Sequence, residues 1–310
     1  MVAEQDVAAF EVDPVVPLDP TRVGTPVDGV EVLGALSPSR AMDFTRCALH
    51  YRFRSVDRLP EPYSPDAVRG TLVHKVLEDL YDVPAADRTP ETARSLLPTA
   101  WDAVVAEEPS MEEMFGPDLD REEWWASCHE VVAAYFDLED PRRLEPAERE
   151  VYVEALLGSR LLLRGIVDRL DVAPDGSVRV VDYKTGRAPG EGFEAGALFQ
   201  MRFYALVLWR TRGVVPRVLQ LVYLGSGEVL RYEPDEDDLR ATERKVEAIW
   251  AAIREAHDSG EWLPNRGPAC RFCPHQAICP AWGGTPPPLP SRDAVAEGGA
   301  VVGSEATPPA

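Results

Sequence analysis

Residues 160–185 read RLLLRGIVDRLDVAPDGSVRVVDYKT. Two runs rich in β-branched and aliphatic residues flank Pro174-Asp175-Gly176, a hairpin-grade turn, so the stretch is predicted to be two antiparallel strands. Asp168 closes the run Gly165-Ile166-Val167-Asp168. Asp182 and Lys184 lie two apart on the second strand, so their side chains share a face. Working outward, 148–157 (EREVYVEALL) also alternates with period two and is separated from the hairpin by Gly158-Ser159. The three runs form a meander.

On the N-terminal side the period becomes helical. Ser37 or Ser39 can cap a helix through SPSRAMDFTRCALHYRF. Ser64-Pro65-Asp66 announces another, with Val68, Leu72, Val76 and Leu80 in the 3.6-residue period. Two more helices fit 90–108 and 121–138. After the meander come a helix over about 195–212, strands at 217–224 and 228–234 around Gly225-Ser226-Gly227, and a long helix from Asp235 to Ser259. Gly260 to Pro280 is a cysteine-bearing loop. The order implies an α/β fold with a mixed sheet and a helical front piece. Residues 1–35 read as an irregular acidic leader, and 281–310, dominated by Pro, Gly, Ala and Ser, as a disordered tail.

The chain has 310 residues and a formal charge of −21. No stretch reaches the roughly 18 uncharged apolar residues of a membrane span. The start, MVAEQDVAAFEVD, lacks a basic segment followed by an apolar one, so it is no secretory signal. The expectation is a cytoplasmic protein without a membrane partner. The acidity does not exclude a polyanionic partner, because it is concentrated in the two tails and in 82–148, an insert-like helical region with eighteen acids and five bases. The remainder is balanced. Its basic residues are lopsided in kind, since only Lys75, Lys184 and Lys245 among 32 are lysine. A lysine inside a chemically suggestive pattern therefore carries weight, and Lys184 is such a case.

A tight hairpin can bring Asp168 and Asp182 to one edge of the sheet, where two carboxylates repel unless a cation or proton lies between them. Hard oxygen ligands suit Mg²⁺ or Mn²⁺, and a nearby ammonium can stabilise a developing oxyanion or orient water. That inventory is what metal-assisted phosphodiester hydrolysis requires. An exposed ion pair would explain Asp182 and Lys184 equally well in isolation. The apolar setting of Asp182, after Val180-Val181, favours the site. His74 and Glu78, and Gln200 and Tyr204, are i, i+4 pairs on helices either side of the strands. An odd count of five cysteines argues against a disulfide framework. Cys270, Cys273 and Cys279 form C-x2-C-x5-C, Cys47 can supply a fourth thiolate, and Cys128 is spare; four thiolates fit zinc or an iron–sulfur cluster. His275, inside the x5 loop, is a further conceivable zinc ligand.

Together these residues resemble the RecB-like branch of the PD-(D/E)XK nuclease superfamily, in particular iron–sulfur members related to the AddB nuclease domain and to CRISPR-associated exonucleases. The resemblance spans about 36–280. It runs through Gly70 to Glu78 (G-x-x-x-H-x-x-x-E), Gly165 to Asp168 (G-x-x-D), Asp182-Tyr183-Lys184 (D-x-K) and Gln200 to Tyr204 (Q-x-x-x-Y). It also includes Ser37 to Phe53, with Cys47, and the closing C-x2-C-x5-C; Ala48 departs from the Pro that many relatives carry there. The resemblance implies a restriction-endonuclease-like core and a DNA nuclease acting on single strands or ends in repair or recombination. Under it, His74, Asp168, Asp182 and the Tyr183 carbonyl would hold Mg²⁺ or Mn²⁺. Lys184 would position or help deprotonate water, and Gln200 and Tyr204 would orient substrate or the metal shell. Cys47, Cys270, Cys273 and Cys279 would hold a [4Fe–4S] cluster, chosen over zinc by the resemblance. Arg69, Arg164, Arg187 and Arg202 are candidate phosphate contacts. No ATP-binding phosphate loop occurs, so a helicase partner would be a separate chain. The competing readings are a non-cleaving nucleic-acid-binding accessory protein and a zinc-stabilised interaction module.

Overall fold

A computed structural model describes residues 26–190 and 195–289. The leader up to residue 25 and the tail from 290 lie outside the described residues. The core is a six-stranded mixed sheet: β1 (Gly34–Leu36), β2 (Glu148–Leu156), β3 (Leu161–Val172), β4 (Val178–Lys184), β5 (Val218–Tyr223) and β6 (Glu228–Tyr232). The order is β1-β3-β4-β5-β6, with β2 also on β3. The β2–β3–β4 meander and the β5–β6 hairpin are antiparallel, while β1 on β3 and β5 on β4 are parallel. β1 straddles the predicted end of the leader. Three residues pairing with a strand more than 120 positions away leave no local periodicity to read.

Helices cover both faces. One face carries α1 (Pro38–Arg46), α6 (Ala195–Arg212) and α7 (Glu236–Ser259), packed on Leu163, Val167, Val180 and Leu221. The other carries α3 (Pro65–Leu80), α4 (Pro90–Glu107) and α5 (Arg121–Leu138), packed on Val181, Tyr183, Val222 and Leu224. The short α2 (Ala48–Tyr51) follows α1 after Cys47, whose extended backbone (φ −163°) splits the single helix expected there. Side-chain caps fix several helix starts: Ser37 accepts from the Arg40 amide, Thr89 from Thr92, and Asp235 from Asp238 in a capping box. Gly260, at φ +74°, stops α7 in the left-handed conformation glycine tolerates. Helix α6 buries Phe199, Met201, Phe203, Leu206 and Leu208 on most of its circumference, as a helix inside a layered core must.

The acidic region 82–148 is amphipathic rather than simply solvated. Trp101, Trp124, Val132 and Tyr135 are buried against α3 and the sheet. Beneath them Arg169, 1% exposed, makes a two-pronged pair with Glu139, the residue capping the end of α5 (2.8 and 2.9 Å), and also donates to the Tyr81 and Tyr183 hydroxyls. A guanidinium this deep is tolerated only because its donors are met. The pair ties the helical region to β3 one residue beyond Asp168.

Candidate active site

The site forms where β3 and β4 part. Their pairing runs from Val172↔Val178 to Arg169↔Val181 and stops, so Asp168 and Asp182 flank the fork. Strict alternation along β3 breaks at the same place. Val167 faces the α6 side, whereas Arg169, two residues on, faces the tyrosines of the α3–α5 side. Across from Asp168, between the pairs Arg149↔Arg169 and Val151↔Val167, sits Glu150 at φ +41°. A non-glycine residue in that region is strained by about 1–3 kcal/mol, and such strain concentrates at functional sites. At the fork the carboxylate of Asp168 replaces a ladder bond, its Oδ2 accepting from the Tyr183 amide at 2.7 Å.

Helix α3 brings His74 onto this opening. Its Nε2 donates to the Tyr183 carbonyl at 2.9 Å, and its Nδ1 lies 3.6 Å from Asp168 and 3.7 Å from Glu150. From the other face α6 supplies Gln200 and Tyr204. Gln200 is fully used: Nε2 donates to Asp182 Oδ1 (3.0 Å) and to the Tyr204 hydroxyl (3.1 Å), while Oε1 accepts from Lys184 Nζ (2.9 Å). Lys184 also lies 2.9 Å from Asp182 Oδ2. Tyr204 reaches the fork because position 165 is glycine; a Cβ there would stand 2.6 Å from the tyrosine ring.

The electrostatics follow from crowding. Burial alone would lower the His74 pKa, but Asp168, then Glu150 and Asp182, overcome it and raise it to about 9. Asp168 is pushed well above the usual carboxylate range by burial and by Asp182 and Glu150, against the pull of His74. Burial and the same two aspartates push the Tyr204 phenol up, so it stays neutral. The cluster therefore retains protons that a cation would displace. A hard divalent cation fits it: one donor atom each from His74, Glu150 and Asp168 lie within 4.8 Å of one another. Asp182 Oδ2, buried, accepts no hydrogen bond of good geometry despite the lysine beside it.

A family model described as the PD-(D/E)XK nuclease superfamily matches residues 35–280. The chain belongs to this superfamily. It is accordingly a deoxyribonuclease-type hydrolase of phosphodiester bonds. It is 26% identical over 268 residues to the Gene 69 protein of Mycobacterium phage D29, covering 79% of this chain and 96% of that protein. It is 28% identical over 171 residues to an ATP-dependent helicase/deoxyribonuclease polypeptide of Streptococcus equi subsp. zooepidemicus, covering 53% of this chain but 15% of that much longer protein. A crystal structure of a protein described as an exonuclease from Eubacterium rectale superposes with a TM-score of 0.51 at 13% identity, over 86% of this chain and 94% of that one, and shares the fold.

Within this PD-(D/E)XK chain the structure gathers His74, Asp168, Asp182, the Tyr183 carbonyl, Lys184, Gln200 and Tyr204 at one fork. It adds Glu150, which the spacing did not single out among the glutamates of β2. Glu78, paired in sequence with His74, is instead bound by Lys75 at 2.9 Å. Of the four candidate arginines, Arg187 is exposed. Arg164 is 2% exposed, Arg69 pairs with Asp66, and Arg202 is held by Tyr232 and Asp238, so none of these three presents a free surface cation. No helix among the described residues is long and apolar enough to cross a membrane.

The four candidate cluster cysteines share one neighbourhood, while among the described residues no three of their sulfurs lie within 4.8 Å of one another. The Cys273 thiol is raised by burial and then by Cys47, Cys279 and Cys270 beside it. Asn265 fastens the loop to the end of α1, its amide donating to Cys47 Sγ (3.4 Å) and its side chain to the Arg46 carbonyl (3.0 Å). Trp262 stacks on Tyr51 with ring centroids 6.0 Å apart. Cys128 is buried in α5, its thiol pushed up to about 12 by burial, outside this group.

Proposed function

We propose that the chain is a metal-dependent DNA nuclease that trims single strands or DNA ends. The carrying observation is the fork at which Asp168, Asp182 and Lys184 converge, with Gln200 bridging aspartate to lysine. His74, Glu150, Asp168, Asp182 and the Tyr183 carbonyl would hold Mg²⁺ or Mn²⁺, which supplies Lewis acidity toward a phosphate oxygen. The remaining work belongs to the side chains. Lys184, fixed between Asp182 and Gln200, sets an ammonium against the phosphate and orients the attacking water. Gln200 spends both amide hydrogens on Asp182 and Tyr204, so the carboxylate is aimed rather than free to rotate. The mixed sheet and strained Glu150 keep the carboxylates in place before substrate arrives.

Cys47, Cys270, Cys273 and Cys279 fit a four-thiolate group, and we assign them to a structural [4Fe–4S] cluster that clasps the C-terminal loop onto the α1–α2 junction. Unpaired thiols suit a reducing cytoplasm. The partial match to a helicase/deoxyribonuclease polypeptide supports a separate helicase partner and work in repair or recombination. The test is anaerobically purified protein, assayed for iron and sulfide and incubated with end-labelled single-stranded DNA, duplex DNA and RNA plus Mn²⁺. Shortening of labelled DNA supports the reading. DNA bound but intact on every substrate would instead make the chain a non-cleaving accessory protein, and zinc without iron would replace the cluster.

A further inference from the structure

A second constellation lies apart from the fork, and none of its residues takes part in the catalytic set. His50 sits on α2, Glu61 in the extended segment before α3, and His275 in the loop between Cys273 and Cys279. Their donor atoms lie within 4.8 Å of one another. Glu61 Oε1 is 2.8 Å from His275 Nε2 and 3.5 Å from His50 Nε2. From these distances we propose that His50, Glu61 and His275 form a further metal site for a zinc-like divalent cation, stapling the cysteine loop to the N-terminal helices.

Donor chemistry and spacing carry the assignment first. Two imidazoles and one carboxylate are a zinc donor set, with the remaining position left to water. Bonds of about 2.0–2.1 Å in tetrahedral geometry place neighbouring donors about 3.4 Å apart. The His50–Glu61 separation already has that length, and the His275–Glu61 pair needs to open by roughly half an ångström.

The surrounding residues aim these donors. Asp43 Oδ1 stands 3.8 Å behind His50 Nδ1, on the side away from Glu61. Arg54 occupies the other oxygen of Glu61 (3.0 Å) and Asp43 Oδ2 (2.6 Å), leaving Oε1 for the ion.

The site is also held and reachable. His275 is 6% exposed and packs edge-on against Phe53 at 5.2 Å, which fixes its ring. The partly exposed side chains of His50 and Glu61 provide an entry path. Because His275 is committed to Glu61, it is not a ligand beside the thiols.

The test uses the full chain with its cysteine-bound group intact, dialysed against a mild chelator and held in saturating Mg²⁺ to occupy the catalytic carboxylates. Zinc is titrated calorimetrically into wild type, His50→Ala and Glu61→Gln, and crystals are examined by anomalous scattering at the zinc edge. The expected result is one zinc per chain, an anomalous peak between the three side chains, and affinity weakened at least about tenfold in His50→Ala and Glu61→Gln. Glu61→Gln keeps the side chain's shape and can still hydrogen-bond, so unchanged circular dichroism and Mg²⁺-dependent DNA cleavage separate ligand loss from misfolding. Undiminished zinc binding in both variants, a peak at the thiols or at the fork, or no zinc uptake would each overturn the proposal and leave the cluster a hydrogen-bonded clasp.

Discussion

Replacing Gly165 with alanine tests how the catalytic fork is held. The new Cβ would lie 2.6 Å from Tyr204 Cε1, with Cδ1 and Cζ at 3.5 and 3.6 Å. Carbon atoms pack at about 3.5 Å or more, so the ring must retreat by roughly 0.9 Å. It cannot do so freely, because Tyr204 is 6% exposed and its hydroxyl accepts from Gln200. Gln200 in turn holds Asp182 and Lys184. Overpacking of this kind costs about 1–3 kcal/mol, a fall of about 2–8 °C in Tm for a chain of this size. A displacement near 1 Å at positioned catalytic groups lowers the rate by about 10²-fold. The assay is kcat for end-labelled DNA together with thermal unfolding, on Gly165→Ala, Tyr204→Ala and the double variant. If the chain of contacts is right, alanine at 165 adds little further loss once the ring is gone, which appears as a coupling energy in the cycle. A Gly165→Ala protein with wild-type rate and Tm, or a penalty undiminished in the Tyr204→Ala background, refutes the reasoning.

Glu150→Gln should raise the Mn²⁺ concentration for half-maximal cleavage at least about tenfold while leaving DNA binding intact, measured by metal titration of the rate. Metal-free protein should lose stability as pH rises. The folded pKa of His74 lies near 9 against 6.5 unfolded, so its contribution is whole below pH 6.5 and fades toward pH 9, while that of Asp168, raised from 3.8 by burial, already fades as pH rises above the ordinary carboxylate range. Melting curves across this window should show the fall, and added Mg²⁺ should offset it increasingly toward pH 9, because the cation replaces protons. Glu139→Gln removes one of the two carboxylates on buried Arg169, leaving Asp171 on its Nε, and should destabilise by about 1.5–3 kcal/mol in denaturant unfolding.

Much of this architecture was legible because local signals agree with the tertiary outcome. The helices at 121–138 and 195–212 and the strands of the meander fall within a residue of where period, caps and turns put them. Asp168, Asp182 and Lys184 could be paired because a hairpin joins them directly. What escaped reading depends on contacts distant in sequence. β1 has its partner in β3. The break at Cys47 is tied to Asn265, more than 200 residues away. Arg169 is one of many arginines, and its burial against Glu139 has no local mark. Glu150 alternates like its neighbours in EREVYVEALL, and its place at the fork goes with a left-handed backbone at an unpaired position of β2, which no local signal marks. The His50, Glu61 and His275 group likewise unites three distant segments.

The central claim is that the fork performs the hydrolysis. The most direct measurement is single-turnover cleavage of end-labelled single-stranded DNA in Mn²⁺ by wild type, Asp182→Asn and Lys184→Ala, with DNA affinity measured in parallel. The account predicts cleavage by wild type, a loss of at least about 10²-fold in each variant, and DNA affinity within a few-fold of wild type. Variants that cut at the wild-type rate would contradict it.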